Sequence, residues 1–125
     1  MTSLCIVVGL DGSIHGEDAA AWARAVASRV DAVVVPVHAR GMLEHGGEHG
    51  TVAAAGSGVV VEDGDPVSVL LRIAEERGAD LLVVGRRGSS ADPDLLLGST
   101  SHQLAERAPC PLVIIPPGAQ PPGPD

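Results

Sequence analysis

The pattern of this chain points to an open α/β sheet of parallel strands, on three grounds. The chain has 125 residues with an apolar share of 45%, enough for one domain with a real core and too much for wholesale disorder. Five short apolar runs recur: Cys5–Val8, Ala32–Val37, Val59–Val61, Leu81–Val84 and Leu112–Ile115. None alternates polar with apolar, the pattern of parallel strands covered on both faces. Helical periodicities stand between them, and that alternation builds a sheet with helices on both faces.

The first run leads into VVGLDGS, where Gly9, Asp11 and Gly12 follow the strand. A helix is expected over Ser13–Val30, with Ala19, Ala23, Val26 and Val30 on one stripe and Trp22 beside it. The link after the second run, RGMLEHGGEHGTVAAAGSG, carries six glycines across residues 41–58. A crossover between parallel strands ordinarily contains a helix, but this one has room for a turn or two around Val52–Ala55. Residues 41–57 are therefore expected to be flexible, a shortened second crossover that leaves part of one sheet face thinly covered.

GDPVSVLLRIAEERGAD follows the third run. Asp65 can cap a helix there, Pro66 suits its first position and Gly78 the position just past its end. Leu70, Ile73 and Ala74 share its inner face, and the stem of Arg77 lies along the edge. A last helix runs from about Ser99 to Ala108, ahead of the fifth strand. The tail PPGAQPPGPD has too little to pack and is expected to be disordered, so residues 1–116 form the single domain and 117–125 an appendage.

Composition narrows the partners. Phe and Tyr are absent and Trp22 is the sole aromatic, so a base has no stacking platform. A net charge of −8, with every basic side chain an arginine among 8, disfavours nucleic acid. MTSLCIVVG does not read as a signal peptide, and no stretch reaches the roughly 18 apolar residues of a membrane helix. A cytoplasmic protein without a membrane partner is expected. Cys5 and Cys110 lie in or beside apolar runs, as buried thiols rather than a disulfide framework. A small anion remains possible, since backbone N–H groups bind phosphate without help from net charge.

The chemistry concentrates in VVGRRGSSADPDLLLGST, residues 83–100. Gly85 and Gly88 let backbone N–H groups approach an oxyanion without a Cβ in the way. Asp92 and Pro93 can start a short turn whose leucines anchor the loop. Gly98 then turns the chain, and Ser99 and Thr100 open the last helix, whose N-terminus is a phosphate seat. This is not a P-loop, because no G-K-[ST] follows. Each glycine by itself is more often just a turn; three with a following hydroxyl point to a nucleotide phosphate. In open parallel sheets ligands sit beyond the strands' carboxyl ends where strand order reverses; if the first and fourth strands are neighbours flanking that point, the loops after them meet over one crevice.

These residues resemble the G-x2-G-x9-G-[S/T] element of ATP-binding universal stress proteins, with every spacing matched at Gly85, Gly88, Gly98 and Ser99. VVGLDGS, GDPVSVLLRIAEERGADLLVVG and APCPLVIIP are similar to the same family, which covers about residues 4–116 apart from the glycine-rich middle. The resemblance implies strand order 3-2-1-4-5. It implies ATP or another adenine nucleotide. Asp92 and Asp94 depart from the family's pattern by adding negative charge inside the phosphate loop, which Mg²⁺ would offset. Gly85 to Gly88 and Gly98 to Thr100 would hold ribose and phosphates, Asp11 would lie against the nucleoside, and Gly9 belongs to the same binding set; a helix-capping turn in DGS is the other account of Asp11. Ala39 would offer backbone atoms to the adenine edge. Arg86 and Arg87 would offset phosphate charge, although solubility explains either equally well. The implied function is a stress-response sensor or regulator, non-catalytic or very slow, acting as a homodimer through Leu112–Ile115.

Two other classes compete. One is an enzyme that hydrolyses ATP or transfers a nucleotidyl group; against it, no nucleophile–base pair is visible, and His102 is expected on the surface of the last helix. The other is a binder of a different adenine nucleotide such as cyclic AMP. EHGGEH, Glu44 to His49, invites a metal, but its glycines deny the histidines a preformed helical face, so no metal site is assigned.

Overall fold

Strands and helices alternate in the computed structural model, which describes residues 3–10, 14–40, 58–85, 99–116 and 119–120, without the side chains of 14–17, 40, 99 and 100. In chain order these are β1 (Leu4–Leu10), α1 (Ile14–Ala27), β2 (Ala32–Arg40), β3 (Val60–Asp63), α2 (Pro66–Glu76), β4 (Leu81–Gly85), α3 (Ser99–Arg107) and β5 (Leu112–Ile115). The strands form one sheet in the order β3-β2-β1-β4-β5, and every neighbouring pair is parallel. The 3-2-1-4-5 order implied by the resemblance is the order observed.

That order explains the two faces. The chain steps outward from β1 to β2 to β3, then returns across β1 to add β4 and β5. Right-handed crossovers in opposite directions place helices on opposite faces. On the α1 face Ile6, Val8, Ala19, Ala20, Ala23, Val83 and Ile115 form one buried cluster. On the α2–α3 face Val7, Val35, Val37, Leu70, Ile73, Leu82, Val84 and Leu104 belong to the other. Successive side chains of a strand point to opposite faces, so Ile6 and Val8 enter one core and Val7 the other. Both faces need apolar residues, which is why the runs in the sequence are unbroken.

α2 forms as its terminal residues dictate. Asp65 has extended backbone, its Oδ2 accepts the Ser68 N–H at 3.0 Å, and Pro66 occupies the first turn. Gly78 takes φ +61°, the left-handed region that closes a helix at little cost to glycine. Arg77 is the exposed C-cap, its N–H donating to Ile73 O at 2.9 Å. Arg72 ties α2 to β3 through Glu62 at 3.0 Å, a pair too exposed to contribute much.

Several boundaries differ from the sequence reading. α1 ends at Ala27, and Val30 lies in the following turn, 43% exposed, so it leaves the apolar stripe. The Ser28 hydroxyl donates to Ala25 O at 2.7 Å and the Arg29 N–H to Val26 O at 2.9 Å, tightening the last turn before β2. β1 and β2 run further than their apolar cores, because parallel pairing continues through Leu10↔His38 and Arg40↔Asp63.

Residues 41–57 and most of 117–125 lie outside the described residues, and with them the expected thin cover and disordered tail. The Ala119 N–H donates to Pro116 O at 3.1 Å, and its side chain packs against the α1-face cluster. No described helix is long and apolar enough to cross a membrane.

Candidate functional site

The strand order reverses between β1 and β4, which lie side by side with Val8 opposite Val83. Their carboxyl ends, Leu10 and Gly85, therefore lie side by side at the switch point, the place where open parallel sheets seat ligands. α3 begins beyond β4 at Ser99. Its first N–H groups have no intrahelical acceptor, and no acidic residue stands in its first turn, an arrangement suited to an anion.

Side chains pin both strand ends. The Ser101 hydroxyl, on the third residue of α3, donates to the Gly85 carbonyl at 2.7 Å. His38 Nδ1 lies 3.1 Å from the Leu10 carbonyl. A carbonyl only accepts, so the imidazole carries its proton on Nδ1 in this contact. His38 and Ser101 are 0% and 3% exposed, the two polar side chains buried in the core among the described residues. Sequence reading assigned neither of them a role. The available signals were a histidine inside the apolar strand segment PVHA and a third hydroxyl in GSTS.

Of the residues singled out in the sequence, the structure gathers Gly9, Ala39, Gly85 and the backbone of Ser99 and Thr100 at this end of the sheet. Asp11, Arg86, Arg87, Gly88 and Gly98 lie outside the described residues. Gly9 has a packing reason of its own. A Cβ there would stand 2.9 Å from Leu70 Cδ1 and 3.1 Å from Val84 Cγ1, so its hydrogen is what lets α2 close on β1. Ala39 lies within β2 opposite Glu62, with its side chain in the α2–α3 core. The last register pair between β1 and β2 is Leu10↔His38, so at Ala39 the strand has passed the end of β1. His102 is exposed on α3, where the sequence placed it.

The opposite end of the sheet holds the thiols. Asp80 Oδ2 accepts the Cys5 N–H at 2.8 Å, and the Asp80 N–H donates to Cys5 O at 2.8 Å. Cys5 and Cys110 are both free and half-buried. Burial pushes the Cys5 thiol above its usual range; Arg77 works against that and Asp80 reinforces it. Burial raises Cys110 too, with the Asp80 carboxylate and Cys5 adding to the effect.

A profile of the universal stress protein family matches residues 49–116. A universal stress protein of Thermus aquaticus is 33% identical over 132 residues, covering 88% of this chain and 96% of the relative. The chain belongs to the universal stress protein family. A second family member, from Mycobacterium tuberculosis, is 30% identical over 135 residues, spanning 91% of this chain but 48% of that protein. The chain thus matches nearly the whole of one relative and about half the length of others. Among solved structures, a universal stress protein from Lactobacillus plantarum superposes with a TM-score of 0.70 at 20% identity, covering 92% of this chain and 99% of the other. A universal stress protein in complex with cAMP superposes with a TM-score of 0.67 at 28% identity, covering 92% of this chain and 98% of that one. The five-stranded parallel sheet in the order described is the universal stress protein fold of these neighbours.

Proposed function

We propose that this universal stress protein binds an adenine nucleotide at the carboxyl ends of β1 and β4 and acts in the cytoplasm as a non-catalytic or very slow sensor. One observation carries the reading. The strand order makes neighbours of β1 and β4, the two strands whose ends run into DGS and into the three-glycine stretch with its hydroxyls. Gly85, Gly88, Gly98, Ser99 and Thr100 would hold phosphates and ribose, with Arg86 and Arg87 offsetting charge. Asp11 and Gly9 would face the nucleoside. Ala39, in the part of β2 that passes the end of β1, would present its backbone to adenine. ATP with Mg²⁺ is the first candidate ligand. Cyclic AMP is the second, favoured by the family member in complex with cAMP.

Identifying any nucleotide released by acid from the purified protein, then titrating ATP with Mg²⁺ and cAMP by calorimetry, tests the reading. Gly98→Val should abolish binding in a folded protein, because a branched side chain would occupy the phosphate position. Unchanged affinity in that variant overturns the placement. Phosphate release at about 1 s⁻¹ or faster, the range of ordinary enzymes, would favour the hydrolytic class instead.

The same reading pairs β5 with β5 of a second copy. β5 is last in the sheet order, and Leu112, Val113 and Ile114 along it are half-buried aliphatics. An edge strand of this kind is either blunted or used, and antiparallel pairing about a two-fold axis satisfies both copies.

A further inference from the structure

We propose that His38 and Ser101 are positioning residues for the nucleotide site, acting through the last carbonyls of β1 and β4 rather than through the ligand. This rests on the nucleotide-binding reading above and adds to it the two groups that set the site's geometry. Both side chains are polar and buried among aliphatic neighbours, where an imidazole or hydroxyl is costly unless bonded. Each makes its bond to the carbonyl of the last residue of a strand at the switch point: His38 to Leu10, Ser101 to Gly85.

Neither contact is local. His38 reaches across from β2 over 28 residues of sequence, and Ser101 reaches back from α3 over 16. A peptide unit is planar, so holding the carbonyl also holds the N–H that follows it and the direction in which the chain departs. Ser101 does more than this, because its bond also fixes the first turn of α3 against the end of β4. The N–H groups of that turn and the exit from β4 therefore keep one relative geometry. A site whose backbone groups are held in place before the ligand arrives loses less freedom on binding.

Calorimetric titration of the full chain with ATP and Mg²⁺, and separately with cAMP, tests this on Ser101→Ala, His38→Leu, His38→Asn and the control Ile73→Val. Ser101→Ala and His38→Leu should each weaken binding about tenfold, in keeping with one lost buried hydrogen bond and a less ordered site. His38→Asn carries an amide N–H near the position of Nδ1 and should recover most of the affinity. Ile73→Val removes a methylene from the core and should lower the denaturation midpoint while leaving affinity unchanged. If His38→Leu does not fold, Ser101→Ala and His38→Asn carry the test.

Nitrogen NMR of the wild-type imidazole should show the proton on Nδ1, and a proton resident on Nε2 alone would overturn the role of His38. Wild-type binding with undiminished affinity in Ser101→Ala overturns this inference and leaves the functional reading standing, as does an equal loss in Ile73→Val. A wild-type protein that binds neither nucleotide removes the functional reading and this inference with it.

Discussion

Replacing Gly9 by alanine separates a packing role from a ligand role near the carboxyl end of β1. The added Cβ would meet Leu70 Cδ1 at 2.9 Å, Val84 Cγ1 at 3.1 Å and Leu70 Cδ2 at 3.4 Å. Aliphatic carbons prefer about 3.5–4.0 Å, so two of these contacts are repulsive. Leu70 can turn only into core already occupied by its neighbours, and Val84 is β-branched and stiff about χ1. Overpacking of this kind costs about 1–3 kcal/mol. Loss of glycine's freedom in the unfolded chain offsets about 0.4–1 kcal/mol of that. The net expectation is a loss of about 1–2 kcal/mol, or about 4–8 °C in Tm. Urea and thermal unfolding followed by circular dichroism would measure it. Leu70→Ala should cost about 2–5 kcal/mol in the wild type and about 1 kcal/mol less beside Ala at position 9, where it also relieves the clash. Wild-type stability in Gly9→Ala, or additivity in the double variant, would refute the packing argument. Intact stability with lost nucleotide affinity would assign Gly9 to the ligand.

Further outcomes follow from local features. Asp65→Ala removes the acceptor for the Ser68 N–H and should lower stability by about 1 kcal/mol in urea unfolding, without altering nucleotide affinity. The folded state holds the Cys5 and Cys110 protons more tightly than the unfolded chain, chiefly through burial. Their contribution to stability is therefore complete below the ordinary thiol value of 9.0 and is lost as pH rises through the raised values. The urea midpoint should fall on that alkaline limb, and the fall should be shallower in the Cys5→Ala, Cys110→Ala double variant. Light scattering should find twice the monomer mass for the wild type and the monomer mass for Val113→Asp, which sets like charges across the proposed two-fold. A wild-type monomer at tens of micromolar defeats the edge-pairing reading, since roughly that concentration reveals a weak specific interface.

Features that neighbouring residues decide among themselves were legible from local pattern. Asp65, Pro66 and Gly78 mark the ends of α2 because a cap, a proline and a left-handed turn act within a few residues of where they stand. The unbroken apolar runs mark buried strands because every side chain of β1 and β4 from Ile6 to Val8 and Leu82 to Val84 enters one core or the other. The glycine spacing of residues 85–98 was legible for the same reason, as a property of one continuous stretch, and it carried the family resemblance. The end of α1 was misread because the Ala19–Val30 stripe says nothing of the turn that must deliver Ala32 to the sheet. Strand order entered through the resemblance, since spacing alone does not say which run lies beside which. Only the tertiary structure gave Gly9 its neighbours at Leu70 and Val84, and put Ala39 inside a strand opposite Glu62. It alone brought His38 to the end of β1 and Ser101 to the end of β4. Those contacts join residues 16 to 75 positions apart, and a hydrogen bond or a van der Waals overlap depends on distance in space, which no local pattern encodes.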